Sequence, residues 1–363
     1  MRKLLVLLVI FGCSEPPAVA SAPATVAPAT VAPATAAAPA TVAPVAPVRR
    51  FAAHLMGSPW SLLIASDRPP AELGAAADAA FREIERLEAL LSEWQPGSSL
   101  SAVNLAAGKA PVQVGPEVLE IVQKSLEVAR LTDGAFDPTW AALRGLWQFK
   151  TNEPALPRKS DLAAALARVG HAQVQVDAAA STVFLPRPGM ALGLGGIAKG
   201  YAVDRAAAIL RARGFDRFIV EGGGDLFVAG EKRPGEAWMI GVQHPRDPRR
   251  LVAELPVRDA AIVSSGDYER FFELGGRRYH HIIDLKTGLP ADRSVAVTVI
   301  APDATTADAY ATAAFVIGPA ALELASKVPG LELAVLAPDG RIHTTPGLKT
   351  LGDRWDTAAP AAP

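Results

Sequence analysis

The stretch Leu192-Gly-Leu-Gly-Gly-Ile-Ala-Lys-Gly-Tyr-Ala-Val-Asp204 carries the strongest structural signal in this chain. An apolar run enters a glycine cluster, and the cluster leads into a predicted helix that carries Lys199. Glycines let the backbone approach a ligand closely, and the N-terminus of a helix presents free N–H groups to an anion. The spacing matches neither G-x-x-x-x-G-K-[ST] nor G-x-G-x-x-G. Taken alone, the stretch is compatible with a phosphate site and equally with a tight strand-to-helix turn.

Helices and strands are both predicted around this stretch, without a regular alternation. Apolar residues recur at helical spacing in some segments, and other segments are rich in β-branched and aromatic residues. The predicted helices span residues 71–94, 116–132, 199–213, 307–317 and 319–327, and the predicted strands span 217–220, 238–242, 279–284, 294–300 and 331–336. This pattern favours the α+β class, with a single large mixed-sheet body, over a doubly wound sheet.

The first residues have the composition of a targeting segment. Two basic residues precede the apolar run 4–11, which is too short to cross a bilayer. Cys13 follows and is the only cysteine among 363 residues, so a disulfide within the chain is excluded. The ending Ile10-Phe-Gly-Cys13 resembles a bacterial lipoprotein signal, which implies residues 1–13 as the signal and lipidation at Cys13. A plain secretory signal with an incidental cysteine is the alternative.

A disordered tether is predicted between this signal and the folded body. Residues 14–48 consist mostly of Ala, Pro, Thr and Val, with Pro-Ala-Thr-Val-Ala repeated three times. Such a segment has too little apolar bulk to pack and too many prolines for a helix, so we expect an extended linker. A catalytic body is predicted at 49–350 and a flexible tail at 351–363.

Charge and hydropathy limit the partners of the body. The net charge is −1 and no basic run is longer than a pair such as Arg49-Arg50, so nucleic-acid binding as the main task has no support. No later apolar run is expected to reach membrane-spanning length, so we expect contact with the membrane by the lipid anchor only.

Polar residues cluster where the predicted elements meet. Asp308 and Thr312 are four residues apart and so share one face of a helix, where a carboxylate and a hydroxyl can hold a hard cation such as Mg²⁺. Asp308 could equally act as a charge that stabilises the N-terminus of its helix. Further clusters are Thr132–Thr139, Glu221–Asp225, Ser264–Tyr268 and His280–Pro290.

Each of these clusters also has a purely structural interpretation. Adjacent residues of a strand face opposite sides, so one of His280 and His281 is expected to be solvated or structural. The glycines at 222–224 could form only a turn, and Asp133 is better suited to a turn or cap than to a base.

Taken together and in this order, these segments resemble the flavin transferase family, the FAD:protein FMN transferases formerly described as thiamine-biosynthesis lipoproteins. The resemblance covers roughly residues 55–317. Its motifs are Met56-Gly-Ser58, Ser92-Glu-Trp-Gln-Pro96, Ser98-x-x-Ser-x-x-Asn104, Thr132–Thr139, Gly195–Asp204, Gly222–Asp225, Ser265–Tyr268, His281–Asp284 and Ala307–Thr312. Several motifs in register are far more specific than any one of them. The resemblance implies an α+β body of the flavin transferase type.

The resemblance also implies a reaction. Such an enzyme splits FAD, transfers FMN to a threonine or serine hydroxyl of a target protein and releases AMP. This is phosphoryl transfer, in which positioning and charge neutralisation do most of the work. The implied acceptor is a membrane redox protein, and the implied location is the periplasmic side of a bacterial membrane. The alternatives are an FAD pyrophosphatase, with water in place of the protein hydroxyl, and a non-catalytic flavin-binding lipoprotein.

Roles for individual residues follow from the same resemblance. Mg²⁺ is expected on Asp308, Thr312 and the main-chain carbonyl of Gly196. Lys199 is expected beside the phosphates, His281 as the base that accepts the hydroxyl proton, and Asp284 as the residue that orients it. The residues expected to line the FAD site are Met56, Trp94, Ala135, Phe136, Asp137, Gly193, Lys199 and Ile282.

Two positions depart from the family pattern. Gly193 stands where the family commonly has an aspartate that contacts FAD, so one expected ligand is missing. Leu285 stands where the family commonly has a proline, which implies a mild change in a loop. The glycine predicts a change in how the nucleotide is held.

Overall fold

The structure, a computed structural model, describes residues 46–149 and 153–351. The predicted signal with Cys13, the linker up to residue 45 and the tail from residue 352 lie outside the described residues. The first element begins at Val48, one residue before the predicted start of the body. The division of the chain into these four segments stays a prediction.

The body combines helices on a large sheet with several small sheets. The helices are α1 (Pro70–Leu91), α2 (Ser99–Leu105), α3 (Pro116–Leu131), α4 (Lys159–Leu166), α5 (Ala198–Ala212), α6 (Ala304–Ile317) and α7 (Pro346–Leu351). Short 3₁₀ helices span Pro138–Leu143, His171–Gln173 and Gly318–Ser326. The strands are β1 (Val48–Leu55), β2 (Ser58–Ala65), β3 (Val112–Gln113), β4 (Gln175–Asp177), β5 (Thr182–Phe184), β6 (Phe218–Gly222), β7 (Asp225–Ala229), β8 (Trp238–Gln243), β9 (Leu251–Val257), β10 (Ala260–Gly266), β11 (Phe271–Leu274), β12 (Arg277–His280), β13 (Ile283–Asp284), β14 (Leu289–Pro290), β15 (Ala296–Ala301), β16 (Glu332–Leu336) and β17 (Ile342–Thr344).

The large sheet has eight strands in the order β1-β2-β6-β7-β10-β15-β16-β17. The α+β class is confirmed. Each pairing in this sheet is antiparallel, a difference from the mixed sheet expected from the sequence. Tight hairpins explain part of the difference, because β1–β2 and β6–β7 are each joined by two residues and such turns reverse the chain direction.

The sheet is buried on both faces. In β2, Leu62 and Ile64 point into the main core with α1, α5 and α6, whereas Leu63 and Ala65 point into a second core with β8 and β9. Side chains of a strand alternate between faces, so a strand covered on both sides is apolar throughout. The site lies at one end of this covered sheet, where β6 ends and β7 begins.

Two predicted elements end earlier than their sequence pattern indicated. The helix predicted over 71–94 ends at Leu91, because Ser92 is extended and its Oγ accepts from the backbone N–H of Trp94. The strand predicted over 279–284 is broken after His280, where the ring of that residue accepts from the N–H of Ile282.

One described stretch, Ala304–Ser326, is long and apolar enough to cross a membrane by composition, with a mean hydropathy of 1.3. The sequence prediction that no later segment reaches this length was therefore wrong. The stretch contains α6, which packs against α5, β10 and β15 and whose side chains are almost all buried. A core helix meets the same criteria as a membrane span, because both are apolar all round.

Candidate functional site

The site is built where α5 begins and crosses α6. A side chain on Gly200 would overlap the carbonyl oxygen of Ala304, so only glycine permits this crossing. Asp308, in the second turn of α6, is 4% exposed and accepts a hydrogen bond of 3.1 Å from the N–H of Gly200. The charge of Asp308 therefore lies at the N-terminus of α5, a different helix from the one considered in the sequence analysis.

A second buried carboxylate lies beside Asp308. Asp225 is the first residue of β7, follows the turn at Gly223-Gly224, and is 2% exposed. Burial, and then the negative charge of Asp308, raise the pKa of Asp225 well above its usual range. Two carboxylates that share a buried site repel each other, and the repulsion favours a cation between them.

Lys199 supplies one positive charge to this pair. Its Nζ lies 2.5 Å from Oδ2 of Asp225. Burial acts against the charge on Lys199, but Asp225 and Asp308 outweigh it and raise the pKa of the ammonium. Lys199 is partly exposed, so a bound anion can reach it from the solvent side.

Gly196 and Thr312 complete an oxygen-lined corner. Oγ1 of Thr312 lies 3.0 Å from the position that a Cβ of Gly196 would take, and the ring of Phe136 lies 3.3 Å from the same point. Within the described residues no three His, Cys, Asp or Glu side chains converge on one point. The donor set here is carboxylate, hydroxyl and carbonyl oxygen. Such a set suits Mg²⁺, which takes one or two carboxylates and completes its shell with phosphate and water.

The two neighbouring histidines have different environments. The ring of His280 is buried, with Nε2 2.8 Å from the carbonyl of Ala291 and Nδ1 accepting from Ile282 N–H. By contrast, in the described part of the chain Nδ1 of His281 has no hydrogen-bond partner. Burial lowers the pKa of His281 to about 3, and the positive charge of Arg270 acts in the same direction. His281 is therefore neutral at neutral pH, and its buried Nδ1 is left without a hydrogen-bond partner among the described residues.

Asp284 is not joined to His281 by a hydrogen bond among the described residues. Its carboxylate accepts from the N–H of Lys286, and its carbonyl accepts from Thr287 and Gly288. These contacts hold the turn between β13 and β14. The role of Asp284 in orienting His281 stays a prediction.

Asp137 uses both carboxylate oxygens within the fold. Oδ1 accepts from Thr139, and Oδ2 lies 2.8 Å from Nδ1 of His171. In the same loop Ala135 is half-buried, whereas Phe136 and Asp137 are buried.

The remaining predicted FAD residues lie on separate elements. Met56 sits in the β1–β2 turn with φ 48°, and its N–H donates to Glu88 at 2.7 Å. Ile282 is buried in the main core. Trp94 is 67% exposed in the loop after α1, with the guanidinium of Arg144 4.7 Å from its ring centroid.

Several residues near the site were not predicted from the sequence. Asp225 was noticed in a glycine turn but was given no role. Arg270 was missed, although its positive charge acts on Lys199, Glu93 and His281. Asn104, quoted in a motif but given no role, bonds both the N–H and the carbonyl of Leu192, which fixes the segment that leads into the glycine cluster.

A separate groove lies away from this site. It has a volume of about 860 Å³ and runs between α3 and the start of α6, with Tyr201 and Asp204 among its lining residues. None of the predicted metal, FAD-site or catalytic residues lines it.

Comparisons with known proteins identify relatives of this chain. The sequence model of the ApbE family matches residues 56–335 of this chain, a range that includes every predicted metal and FAD-site residue. A FAD:protein FMN transferase of Treponema pallidum (strain Nichols) is 37% identical over 321 residues, covering 84% of this chain and 89% of the relative. The crystal structure of the ApbE protein from Thermotoga maritima has a TM-score of 0.77 and 32% identity, covering 84% of this chain and 99% of that one. The flavin transferase ApbE from Vibrio cholerae has a TM-score of 0.75 and 26% identity, covering 84% and 100%.

Proposed function

This chain belongs to the ApbE family, and we propose that it is a flavin transferase that uses Mg²⁺ to move FMN from FAD onto a threonine or serine hydroxyl of a target protein, releasing AMP. The resemblance to flavin transferases drawn from the motifs is confirmed by these relatives. The observation that carries the proposal is the pair of buried carboxylates, Asp225 and Asp308, held beside Lys199 at the glycine turn.

The residues of this corner suit a pyrophosphate with its cation. Asp308, Thr312 and the carbonyl of Gly196 would hold Mg²⁺, and Asp225 adds negative charge next to them. The ion would neutralise the phosphate charge that grows as the bond breaks. Lys199 and Arg270 add positive charge on the same side, which favours a dianionic nucleotide over a neutral ligand.

The transfer exchanges one phosphorus–oxygen bond for another. The acceptor hydroxyl oxygen forms a bond to the phosphorus of the FMN half, and the bond from that phosphorus to the bridging oxygen breaks. AMP leaves with the bridging oxygen. We assign the proton of the hydroxyl to His281, whose Nδ1 has no partner among the described residues. The negative phosphates of bound FAD would raise its lowered pKa toward the range that a base needs.

We further propose that the chain acts outside the cytoplasm as a lipoprotein. The support is the sequence alone: a lipoprotein-like signal that ends at Cys13 and an Ala/Pro-rich linker behind it. An enzyme tethered in this way could reach a redox protein of the same membrane. Growth with labelled palmitate, followed by loss of the label in a Cys13→Ala variant, tests the anchor.

The reaction is tested by incubating the full-length chain with FAD, Mg²⁺ and a periplasmic redox subunit that carries a threonine acceptor. We expect a covalent FMN adduct, seen by mass and by fluorescence of the denatured acceptor, with one AMP released per adduct. FMN and AMP free in solution, at the same rate with and without acceptor, would instead identify an FAD pyrophosphatase. Intact FAD would contradict both activities and support the flavin-binding alternative.

A further inference from the structure

Trp140 and Gly193 form a tight contact at the edge of the candidate site. Trp140 lies in the 3₁₀ helix Pro138–Leu143, directly after the loop that carries Phe136 and Asp137. Its indole Nε1–H donates to the carbonyl of Gly193 at 2.9 Å, and the N–H of Gly193 donates to the carbonyl of Pro138 at 2.8 Å. Both polar backbone groups of Gly193 are therefore bound to the same short helix.

The indole fills the space that a side chain at position 193 would need. A Cβ on Gly193 would lie 2.7 Å from Cε2 and Nε1 of Trp140 and 2.8 Å from Cζ2. All three atoms belong to a rigid ring whose N–H is already bonded, so the ring cannot move away at small cost. Position 193 can hold only glycine while Trp140 is present.

The same ring reaches the glycine turn. Cζ2 of Trp140 lies 3.9 Å from the position that a Cβ of Gly195 would take, and Oε1 of Glu93 lies 3.8 Å from that point. Gly195 is exposed, and Trp140 is partly exposed. The indole therefore contributes a surface next to the turn that leads to Gly196 and Lys199.

We propose that Trp140 contacts FAD at this corner, in place of the side chain that position 193 lacks. The inference rests on the proposed function, because it takes FAD as the occupant of the site. An indole offers a flat apolar face and a polar edge, and its edge is occupied by Gly193. The indole therefore holds a ring of the nucleotide by stacking. A carboxylate at position 193 would instead hold the nucleotide by a hydrogen bond.

The proposal is tested by FAD affinity in four proteins: the full-length parent, Trp140→Val, Gly193→Asp and the double variant. We expect Trp140→Val to weaken FAD binding about tenfold, as for loss of one stacked ring. Gly193→Asp alone should weaken binding by at least as much, because its side chain collides with the indole. The double variant should bind FAD more tightly than Gly193→Asp, since removal of the indole makes room for the carboxylate.

A matched tryptophan separates contact with FAD from a structural role. The indole N–H of Trp147 also donates to a glycine carbonyl, that of Gly288 at 3.1 Å, but its ring stacks on Phe149 and Tyr279. Trp147→Val should lower the melting temperature and leave the FAD affinity unchanged. Trp140→Phe keeps a ring without the N–H, and we expect it to retain most of the affinity that Trp140→Val loses.

The possible results have distinct meanings. If the parent binds FAD and Trp140→Val binds it equally well, or if the two substitutions are simply additive, the inference about Trp140 is overturned while the proposed function stands. Equal losses in Trp140→Phe and Trp140→Val would also overturn it, because the hydrogen bond alone would then explain the effect. A folded parent that does not bind FAD would overturn the proposed function and this inference with it.

Discussion

Asp308 serves the fold and the proposed chemistry through the same carboxylate. It accepts from the N–H of Gly200 and lies beside the buried Asp225. In Asp308→Asn the amide oxygen can still accept that bond, while the negative charge is lost. We expect the rate of AMP release to fall at least about a hundredfold in Asp308→Asn, with a melting temperature close to that of the parent.

Asp308→Ala is the matched control, because it removes the charge and the acceptor together. It should lose the rate to the same extent and also some stability, by about 1–2 kcal/mol as for loss of a helix cap. Both quantities are read from AMP release and urea unfolding. A fully active Asp308→Asn would show that the charge of Asp308 has no part in the reaction.

The neighbouring histidines His280 and His281 allow the same comparison between a structural role and a role in the reaction. His281 has an unpartnered Nδ1 in the described structure, whereas His280 has both ring nitrogens bonded and its edge against Phe315. We expect His281→Asn to slow transfer by roughly 10²–10⁴ with FAD affinity and melting temperature retained. His280→Asn should mainly lower the melting temperature, because both ring nitrogens of His280 are bonded within the fold. Normal transfer by a folded His281→Asn enzyme would rule this histidine out as the base.

The crossing of α5 and α6 gives a prediction at the scale of elements. A Cβ on Gly200 meets the backbone of Ala304, whereas no described atom lies within 4 Å of a Cβ placed on Gly74 in α1. Both glycines lie within helices, so alanine is the better helix former at each. We expect Gly74→Ala to stabilise the protein by about 0.5–1 kcal/mol and Gly200→Ala to destabilise it by about 3 kcal/mol or more.

Urea unfolding of the two variants measures both effects. Stabilisation by Gly200→Ala would show that the helices can separate without loss. Such a result would contradict the close approach on which the site depends.

Asp204 links α5 to the N-terminus of α6 and should give stability a specific pH dependence. Its carboxylate accepts from Ala304 N–H at 2.8 Å and from the N–H and hydroxyl of Thr305. These hydrogen bonds act to lower the pKa of Asp204. Burial has the larger effect and raises the pKa to about 6. A raised pKa means that the folded state holds the proton more tightly than the unfolded chain. The stability from this group is therefore fully present below about pH 4 and is lost as the pH rises through 6.

Asp204→Asn removes the titration and keeps one acceptor. We expect the stability advantage of the parent over this variant to shrink by on the order of 2 kcal/mol between pH 4 and pH 7. Unfolding in urea at four pH values measures it. A difference that is constant over this range, or that grows with pH, would contradict the assigned shift.

Elements with a strong local signal could be predicted from the sequence. The start of α5 could be predicted because a glycine cluster and an apolar repeat are both visible in the sequence there. Trp94 was placed in α1 because it continues the apolar spacing, but a side-chain bond from Ser92 ends the helix first. Residue spacing shows that a helix can continue and does not show that a turn competes with it.

Contacts between distant parts of the chain could not be predicted in this way. Asp225 and Asp308 meet because α6 packs against β7, a strand of the large sheet. Trp140 meets Gly193 from 53 residues away along the chain. The motifs indicated the proposed metal residues by resemblance, but the second carboxylate and the indole depend on tertiary packing. The site is therefore more negative and more aromatic than the sequence suggested.

At the scale of the whole molecule, the fold should stand without its first 45 residues. The first strand begins at Val48 and pairs with all of β2, and both faces of the sheet are covered from within residues 46–351. We expect a chain that starts at residue 46 to keep its melting temperature within about 2 °C and its transfer rate to a soluble acceptor. Thermal unfolding and AMP release measure this.

A chain that starts at residue 58 is the control. It lacks β1 and the turn at Met56, so β2 becomes an unprotected edge strand and we expect a lower melting temperature and aggregation. Equal stability of the two truncated chains would show that β1 adds nothing to the sheet.

The contact between Trp140 and Gly193 also fixes an order of events. An indole over position 193 leaves room for a hydrogen atom and nothing larger. A lineage that passes from a side chain at 193 to this arrangement must lose that side chain before the tryptophan arrives. The reverse change must begin with loss of the tryptophan, so each direction allows only one order of the two substitutions.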